Sequence, residues 1–463
     1  MTPKSLDAKL AKIKADPSSR EFILADAKDA DMAYGMAAPG RSPEMHAHEG
    51  RFRSLAEYHQ CIRDVVRQGV VDIVLMSAHT NSLLTIEERL FENSHVTPAA
   101  RANDTTDIHV ARGSAYTGQP SLPFSTATID HLQCGRYPCQ PDERARGANL
   151  GLYSVTFNND AETDRRTIEA YKAFRLEAEQ KGFRHFLEVF DPNAPRTPIP
   201  PERIGGFIND MIARTLAGVP QSGRPLFLKM VYHGPRFTEE LAHYDPTLVI
   251  GVLGGAAGTT YDAFKLVAEA QKYGARAALF GRKINNSEHQ LAFIQMLRHI
   301  TDGHVSPEEA VHAYHGVLQK LSIRPYRALN DDLKITDQWL AYVGTKTSVV
   351  VSGTRPATRG VERLHGVERP RCADPNRDRE GAAPRRLSAR LGGDATATAA
   401  TAPAGSYAAS AGDGNGRMPN RPAQPGEKTE QPREAGRARP DFANMTSAER
   451  LAYHRKRLGG GNR

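Results

Sequence analysis

Short apolar runs alternate with longer amphipathic stretches between residues 20 and 300 of this 463-residue chain. Eight of the runs have the length and composition of buried strands, and most are followed by apolar residues at helical spacing. The predicted strands are Phe22–Asp26, Val71–Met76, Asp107–Ala111, Leu150–Phe157, His185–Phe190, Leu226–Val231, Thr247–Leu253 and Ala277–Phe280. The predicted helices are Leu55–Gln68, Thr163–Lys181, Pro201–Leu216, Thr260–Tyr273 and Glu288–His299.

The alternation of strands and helices predicts an α/β fold with a parallel sheet. Eight such units in about 300 residues match a closed (β/α)8 barrel, the TIM barrel. A doubly wound open sheet is the alternative, because the strand count depends on the third unit. Residues 112–149 follow the third predicted strand and are punctuated by Gly and Pro. We expect this insertion to cap the mouth of the barrel.

Composition divides the chain into three parts. Residues 1–20 are charged and are predicted to form an N-terminal helical extension, and residues 21–345 form the barrel. Residues 346–463 are rich in Arg, Ala, Gly, Pro and Thr, and they cannot bury enough apolar surface to offset the chain entropy lost on folding. We therefore expect a disordered tail, with one short helix at 447–458 that begins in a capping-box-like pattern.

The formal net charge of +8 does not by itself indicate nucleic-acid binding, because arginines are concentrated in the tail and the barrel need not be basic. We expect no specific nucleic-acid partner. No apolar run is long enough to cross a bilayer, so no membrane contact is expected.

The four cysteines offer no disulfide framework in a chain of this length, and Cys134 and Cys139 are assigned to an ordinary loop. A cytoplasmic protein is expected.

Lys229 lies within the apolar run Pro225–Val231. Burial among carbon side chains removes water from an amine and disfavours its ammonium form, which leaves the amine able to attack a carbonyl. A strand-end lysine that extends to water is the structural alternative. In a barrel Lys229 would lie near the carboxyl end of strand six, where barrel enzymes place their chemistry. Glu188 lies at the matching depth of strand five, so the two form either a catalytic pair or a structural ion pair.

Glycine-rich turns follow the seventh and eighth predicted strands. Gly254 and Gly255 precede the helix that begins at Thr260, and Gly281 follows the eighth strand together with Arg282. Glycines let backbone amides approach an anion closely, and a helix N-terminus adds a favourable dipole. Either turn alone is explained by a tight strand-to-helix connection. Together, after the last two strands, they predict a phosphate site with Arg282 or the adjacent lysine as a side-chain contact.

The chain resembles the class I, Schiff-base-forming aldolases of the bacterial tagatose-bisphosphate and archaeal-type fructose-bisphosphate families over roughly residues 20–300. The segments that carry the likeness are Arg184–Val189, Leu226–Lys229, Leu253–Gly255 and Phe280–Arg282, in the family's order and approximate spacing. The resemblance implies that Lys229 is the Schiff-base lysine, that Glu188 is a proton-relay carboxylate and that Asp26, which ends strand one, is catalytic. The tagatose-type enzymes also have a lysine on strand four, and Leu150–Thr156 contains none.

Two functions from different classes fit these residues. The first is a class I aldolase-like lyase of carbohydrate metabolism that makes or breaks a carbon–carbon bond in a phosphorylated ketose or a related sugar. In this scheme Glu188 or Asp26 moves protons, Tyr153 or Tyr232 assists, and neither a metal nor a cofactor is needed. The second is a non-catalytic phosphosugar-binding or regulatory barrel whose basic tail contacts RNA or a partner. We expect a small phosphorylated sugar as ligand and a homo-oligomer.

A metal-binding alternative rests on His46 and His48, which have the spacing of a ligand pair. They lie in a Gly- and Pro-rich loop about twenty residues beyond the first predicted strand, whereas metal-dependent hydrolase barrels place such a pair at the end of that strand. No metal site is therefore predicted.

Overall fold

The computed structural model describes residues 2–16, 18–33, 35–40, 52–108, 114–255, 258–337 and 340. Eight parallel strands in this part of the chain close into a barrel in the order β1-β8-β7-β6-β5-β4-β3-β2. They are β1 (Ile23–Lys28), β2 (Ile73–Met76), β3 (Thr97–Arg101), β4 (Leu150–Thr156), β5 (Arg184–Phe190), β6 (Leu228–Met230), β7 (Gly251–Leu253) and β8 (Ala277–Phe280). The predicted TIM-barrel fold is confirmed.

Helices surround the strands, and the five predicted helices are confirmed to within a few residues at each end. The longer helices are α1 (Ser5–Ala15), α2 (Leu55–Gln68), α3 (Ala161–Lys181), α4 (Pro201–Ala217), α5 (Pro235–Tyr244), α6 (Thr260–Lys272), α7 (Gln290–Thr301) and α8 (Pro307–Lys320). Short helices lie at Ala30–Ala33, Gly35–Ala37, Ala78–Asn81, Ser82–Glu87, Tyr116–Gly118, Ile129–Cys134, Pro141–Glu143, Gln221–Gly223, Arg282–Asn285 and Leu329–Asp332. A two-stranded hairpin pairs Asp104–Thr105 with Pro123–Phe124.

The third strand is Thr97–Arg101, and its prediction at Asp107–Ala111 was wrong. Proline and alanine within β3 weaken the β-branched pattern by which strands are identified, yet its backbone pairs with β2 on one side and β4 on the other. Asp107 and Ile108 lie in a turn, and residues 109–113 are outside the described part. The insertion between the third and fourth strands therefore begins at residue 102.

Side chains of each strand alternate between the barrel interior and the layer under the helices. The interior positions are apolar over most of the barrel: Ile23, Ala25, Ala27, Ile73, Leu75, Ala99, Leu150, Leu152, Phe186, Phe227, Val249, Ala277 and Leu279. Three apolar side chains of α1, Leu6, Leu10 and Ile13, pack with this cluster and close the N-terminal end of the barrel. Outward residues such as Leu24 and Val74 pack against the helices.

The helix α1 lies within the predicted extension at 1–20, but the predicted limits of the domains stay predictions. Residues 341–463 lie outside the described part, and with them the tail and its helix at 447–458. Among the described residues, no helix combines the length and the apolar character needed to cross a membrane.

Cys134 and Cys139 form a disulfide bridge within the insertion, with their Cα atoms 6.0 Å apart. The expectation that they occupy an ordinary loop outside any disulfide was wrong. The helix Ile129–Cys134 ends at Gly135, whose positive φ of 80° turns the chain back toward the helix. The spacing of two cysteines in a sequence does not reveal such a reversal. Cys61 is a free, partly buried thiol.

Candidate active site

The carboxyl ends of the barrel strands enclose a cavity of about 60 Å³, in the place where barrel enzymes hold their chemistry. Six of the seven predicted site residues line it together: Glu188, Lys229, Gly254, Gly255, Gly281 and Arg282. The exception is Asp26. Two lining residues that the sequence did not single out are Asp29 and Arg101, and Ile108 reaches the cavity from the insertion.

Lys229 and Glu188 face each other across the register of β6 and β5. The amine Nζ lies 2.6 Å from the carboxylate Oε1, and the side chains are 8% and 2% exposed. Phe186 and Phe227 lie two residues before Glu188 and Lys229, respectively, and their rings stack with centroids 4.5 Å apart. Because every second strand residue points the same way, this stacking places Lys229 and Glu188 inside the barrel as well. The expected approach of the two side chains is confirmed.

The second oxygen of Glu188 is held by β4. Ser154 Oγ donates to Glu188 Oε2 at 2.7 Å, so the two carboxylate oxygens have separate partners. Asn103, just after β3, holds Ser154 in turn: its side chain accepts from the Ser154 backbone N–H at 2.6 Å and donates to the Ser154 carbonyl at 2.9 Å. Asn103, at the start of the insertion, thus holds Ser154 in the position from which it orients Glu188.

Arg101 is a buried cation at the end of β3 that connects both carboxylates of the cavity. Its Nε lies 2.6 Å from Asp29 Oδ2, its Nη1 donates to Ser154 Oγ at 3.2 Å, and its Nη2 lies 3.6 Å from Glu188 Oε2. Burial alone would lower the pKa of Arg101, but Asp29, Asp104 and Glu188 outweigh burial and raise it. Charges of alternating sign therefore run from Lys229 through Glu188 and Arg101 to Asp29.

Asp26 lies on the opposite face of β1. Its neighbours Ala25 and Ala27 point into the barrel, so Asp26 points outward with Leu24. It is fully buried, 3.0 Å from Lys28 Nζ, and Lys28 donates to Asn285 at the end of the short helix Arg282–Asn285. Burial raises the pKa of Asp26, and Lys28 opposes this effect. The carboxylate that reaches the cavity is Asp29, which directly follows β1.

Tyr153 and Tyr232 also lie in the outer layer. Tyr153 stacks on Phe174 of α3 with centroids 4.5 Å apart, and burial raises the pKa of Tyr153. Tyr232 belongs to the same outer core cluster. Neither ring lines the cavity. Among the described residues, Glu188 and Asp29 are therefore the carboxylates that can exchange protons with a ligand beside Lys229.

The predicted phosphate residues lie around the cavity for different local reasons. Gly255 has a positive φ of 61° with open space around its Cα, and this backbone favours glycine. At Gly254 a side chain would collide with the ring of Phe280, so the residue is required by packing. Arg282 lines the cavity, whereas Lys283 donates to the Gly258 carbonyl at 2.9 Å. Of the two cations weighed from the sequence, the structure places Arg282 in the site.

The described residues contain one group with three ligand atoms close enough for a metal, Cys134, Cys139 and Glu143. The two sulfurs are already joined in the disulfide, and Glu143 forms ion pairs with Arg136 and Arg146 at 2.6 and 2.9 Å. This group belongs to the insertion and does not line the cavity. His46 and His48 lie outside the described residues.

No protein-family model and no curated protein matches this chain. Among solved structures it is similar to an archaeal fructose 1,6-bisphosphate aldolase, with 15% identity over 64% of this chain and 99% of that chain and a TM-score of 0.45. It is also similar to a fructose-bisphosphate aldolase from Slackia heliotrinireducens, with 12% identity, coverage of 66% and 89%, and a TM-score of 0.48. A Corynebacterium glutamicum protein matches with 14% identity, coverage of 65% and 94%, and a TM-score of 0.42. Likeness at this level carries no argument about the reaction or its substrate.

Proposed function

We propose that this barrel is a class I aldolase-type lyase that makes or breaks a carbon–carbon bond through a Schiff base on Lys229. The observation that supports the proposal is the buried pair of Lys229 and Glu188, 2.6 Å apart, in the cavity that Gly254, Gly255 and Arg282 also line. A structural ion pair alone would not account for the position of Arg282 and Gly255 in the same cavity. The proposed substrate is a phosphorylated ketose or a related sugar.

The first steps use the proton that Lys229 and Glu188 share. Transfer of this proton to Glu188 leaves a neutral amine and a neutral acid. The amine adds to the substrate carbonyl, and the nitrogen proton moves to the former carbonyl oxygen to give a carbinolamine. Glu188 then returns its proton to the departing hydroxyl, which leaves as water. The products are a protonated imine on Lys229 and a carboxylate on Glu188.

Bond cleavage follows from the positive charge of the imine. A base removes the proton of the hydroxyl on the β-carbon, and a free aldehyde forms as the bond between the α- and β-carbons breaks. The electron pair of that bond moves into the imine and produces an enamine. Of the described residues that line the cavity, Glu188, ionised again, and Asp29 can act as this base. Protonation of the enamine and hydrolysis of the resulting imine restore Lys229.

A phosphate group on the substrate would bind at the ends of β7 and β8. Backbone amides near Gly254 and Gly255 can approach its oxygens, and Arg282 supplies a cation with paired donors. The homo-oligomer expected from the sequence is a further part of the proposal.

The function is tested with a panel of phosphorylated ketoses of four or more carbons, because cleavage requires a hydroxyl on the β-carbon. Aldehyde release is measured with a coupled dehydrogenase, and binding is measured separately as a shift in melting temperature. Aldehyde release that disappears when Lys229 is replaced supports the lyase. A ligand that raises the melting temperature without any product favours the non-catalytic binding barrel, for which the absence of a lysine on β4 is the supporting observation.

Replacing Gly255 should weaken phosphate binding more than it weakens the fold. Gly255→Ala places a side chain at a positive φ, which costs about 1–2 kcal/mol, and puts a methyl group at the mouth of the cavity. Gly303→Ala is the matched control, because Gly303 also has a positive φ, of 75°, and open space, but lies after α7. Both variants should lose similar stability in urea, and only Gly255→Ala should bind dihydroxyacetone phosphate more weakly. Equal binding by the two variants would remove Gly255 from the site.

Replacing Asp29 should affect catalysis, whereas replacing Asp26 should affect stability. Asp29→Asn removes a candidate base, and we expect kcat to fall by about 10²-fold or more. Asp26→Asn leaves Lys28 without its anion, so it should lower the free energy of unfolding, by up to about 3–5 kcal/mol, with kcat nearly unchanged. Steady-state kinetics and urea unfolding of both variants measure the difference. Loss of kcat in a well-folded Asp26→Asn variant would restore Asp26 to the catalytic set.

A further inference from the structure

A second cavity, of about 790 Å³, opens at the opposite end of the barrel from Lys229. Its wall includes Thr97 and Pro98 at the start of β3, Asn149 just before β4 and Arg184 at the start of β5. This volume lies within the range of pockets that bind small molecules. The cavity is separate from the proposed catalytic site and belongs to the amino ends of the strands.

Unusual backbone geometry borders this second cavity. Thr85 and Ile86, which line it, belong to the π-helix Ser82–Glu87. Such helices are rare and occur frequently at functional sites. Arg89, two residues beyond the π-helix, has a φ of 53°, a conformation uncommon for a residue with a side chain. Two departures from ordinary backbone thus adjoin one cavity, and both belong to residues that line it.

Two buried hydroxyl groups in the wall have no hydrogen-bond partner among the described residues. They are Thr85 Oγ1 and Thr97 Oγ1, on residues that are 8% and 3% exposed. A buried hydroxyl without a partner is unfavourable, and a ligand with an acceptor atom would remove that cost. Their presence in one wall is the observation that points to a polar ligand group.

The charged residues of the wall are mostly cationic. They differ in whether they already form hydrogen bonds or ion pairs within the protein. Lys4 donates to three backbone carbonyls and is part of the scaffold. Arg146 pairs with Glu143 at 2.9 Å, and Arg184 pairs with Asp7. Within the described part of the chain, Arg89 forms no ion pair.

Apolar side chains line the cavity beside these cations. They are Ile86, Phe91 and Pro98. The wall therefore offers a guanidinium, unpaired hydroxyls and an apolar surface to one ligand.

We propose that this second cavity binds a small molecule with a carboxylate, sulfonate or phosphate group on an apolar or aromatic body. The anion would contact Arg89 and accept hydrogen bonds from Thr85 and Thr97. The body would pack on Ile86 and Phe91. Binding of this kind does not require any chemistry at Lys229.

The test uses 8-anilinonaphthalene-1-sulfonate, an anion on an aromatic body, titrated into the full chain and followed by its fluorescence. Arg89→Ala removes the cation and should weaken binding about tenfold, since a hydrogen bond to a charged group is lost. Arg214→Ala is the matched control, because Arg214 is an exposed arginine of α4 that does not line the cavity. Thr97→Val, close in volume, should also weaken binding and gives a second measure.

Saturable binding that weakens in Arg89→Ala and stays constant in Arg214→Ala supports the site. The proposal is overturned by the absence of saturable binding to the unmodified chain. Equal affinity in the unmodified chain and Arg89→Ala overturns it as well. Arg89 is exposed, so its replacement does not disturb the core and the result does not depend on whether Thr97→Val folds. Aldehyde release from phosphorylated ketoses can fail without any effect on this outcome.

Discussion

Lys229→Met should abolish both product formation and imine formation while the protein stays folded. Methionine keeps the volume of the side chain roughly constant but supplies no nucleophile. The replacement removes one member of a buried ion pair, which often destabilises a protein. Here Glu188 keeps the hydrogen bond of Ser154 and the charge of Arg101, 3.6 Å away, so its carboxylate is not left without compensation.

Aldehyde release and thermal unfolding of Lys229→Met measure these two expectations. Lys172→Met is the control for the removal of a lysine, because Lys172 is an exposed residue of α3 outside the cavity. It should turn over substrate like the unmodified protein. Undiminished turnover by Lys229→Met, or activity that disappears with a metal chelator, would mean that the reaction uses a different mechanism.

Glu188→Gln should lower kcat by about 10²–10⁴-fold, the range over which a positioned proton-transfer group contributes. Glutamine can still accept from Ser154, but it cannot take the proton of Lys229 or return it to the departing hydroxyl. The imine should still form slowly. The effect should appear mainly in kcat, because the group acts on proton transfers rather than on substrate binding.

Ser154→Ala provides the comparison within the same network. It removes the hydrogen bond that holds Glu188 Oε2 but leaves the carboxylate, so kcat should fall much less than in Glu188→Gln. Single-turnover kinetics separate imine formation from cleavage in both variants. An equal loss in the two variants would show that Glu188 acts by its position alone. Normal kcat in Glu188→Gln would remove it from the proton-transfer steps.

The residues that could be predicted from the sequence share one property: they follow a clear strand pattern. The apolar runs around Lys229 and Glu188 determine both the position and the depth of each residue, and parallel pairing then brings the two side chains together. The glycine turns after β7 and β8 follow from the same register. In each case local pattern and final position agree, so the larger part of the cavity was predictable.

Arg101 was missed because its strand has no such pattern. Pro98, Ala99 and Ala100 give a weak strand signal, and pairing with β2 and β4 determines the structure instead. A role for Arg101 can be inferred only from the folded structure, in which its guanidinium contacts Asp29, Ser154 and Glu188. A long-range arrangement of this kind is not encoded in any short segment.

The choice between Asp26 and Asp29 depends on the direction of a side chain and on the end of a strand. Asp26 alternates with inward Ala25 and Ala27, so it belongs to the outer face, while Asp29 follows the last residue of β1 and reaches the cavity. Strand ends are the least regular part of a pattern. A carboxylate at the end of a predicted strand can therefore be assigned to the wrong face without any error in the fold.

The most direct test of the central claim is reductive trapping of the imine. The unmodified protein is incubated with a phosphorylated ketose that it turns over, borohydride is added, and the digested chain is analysed by mass spectrometry. We expect a stable adduct on the peptide that contains Lys229, with the mass of the reduced ketose imine. A protein that turns over the ketose but carries the adduct on another lysine, or carries none, would contradict it.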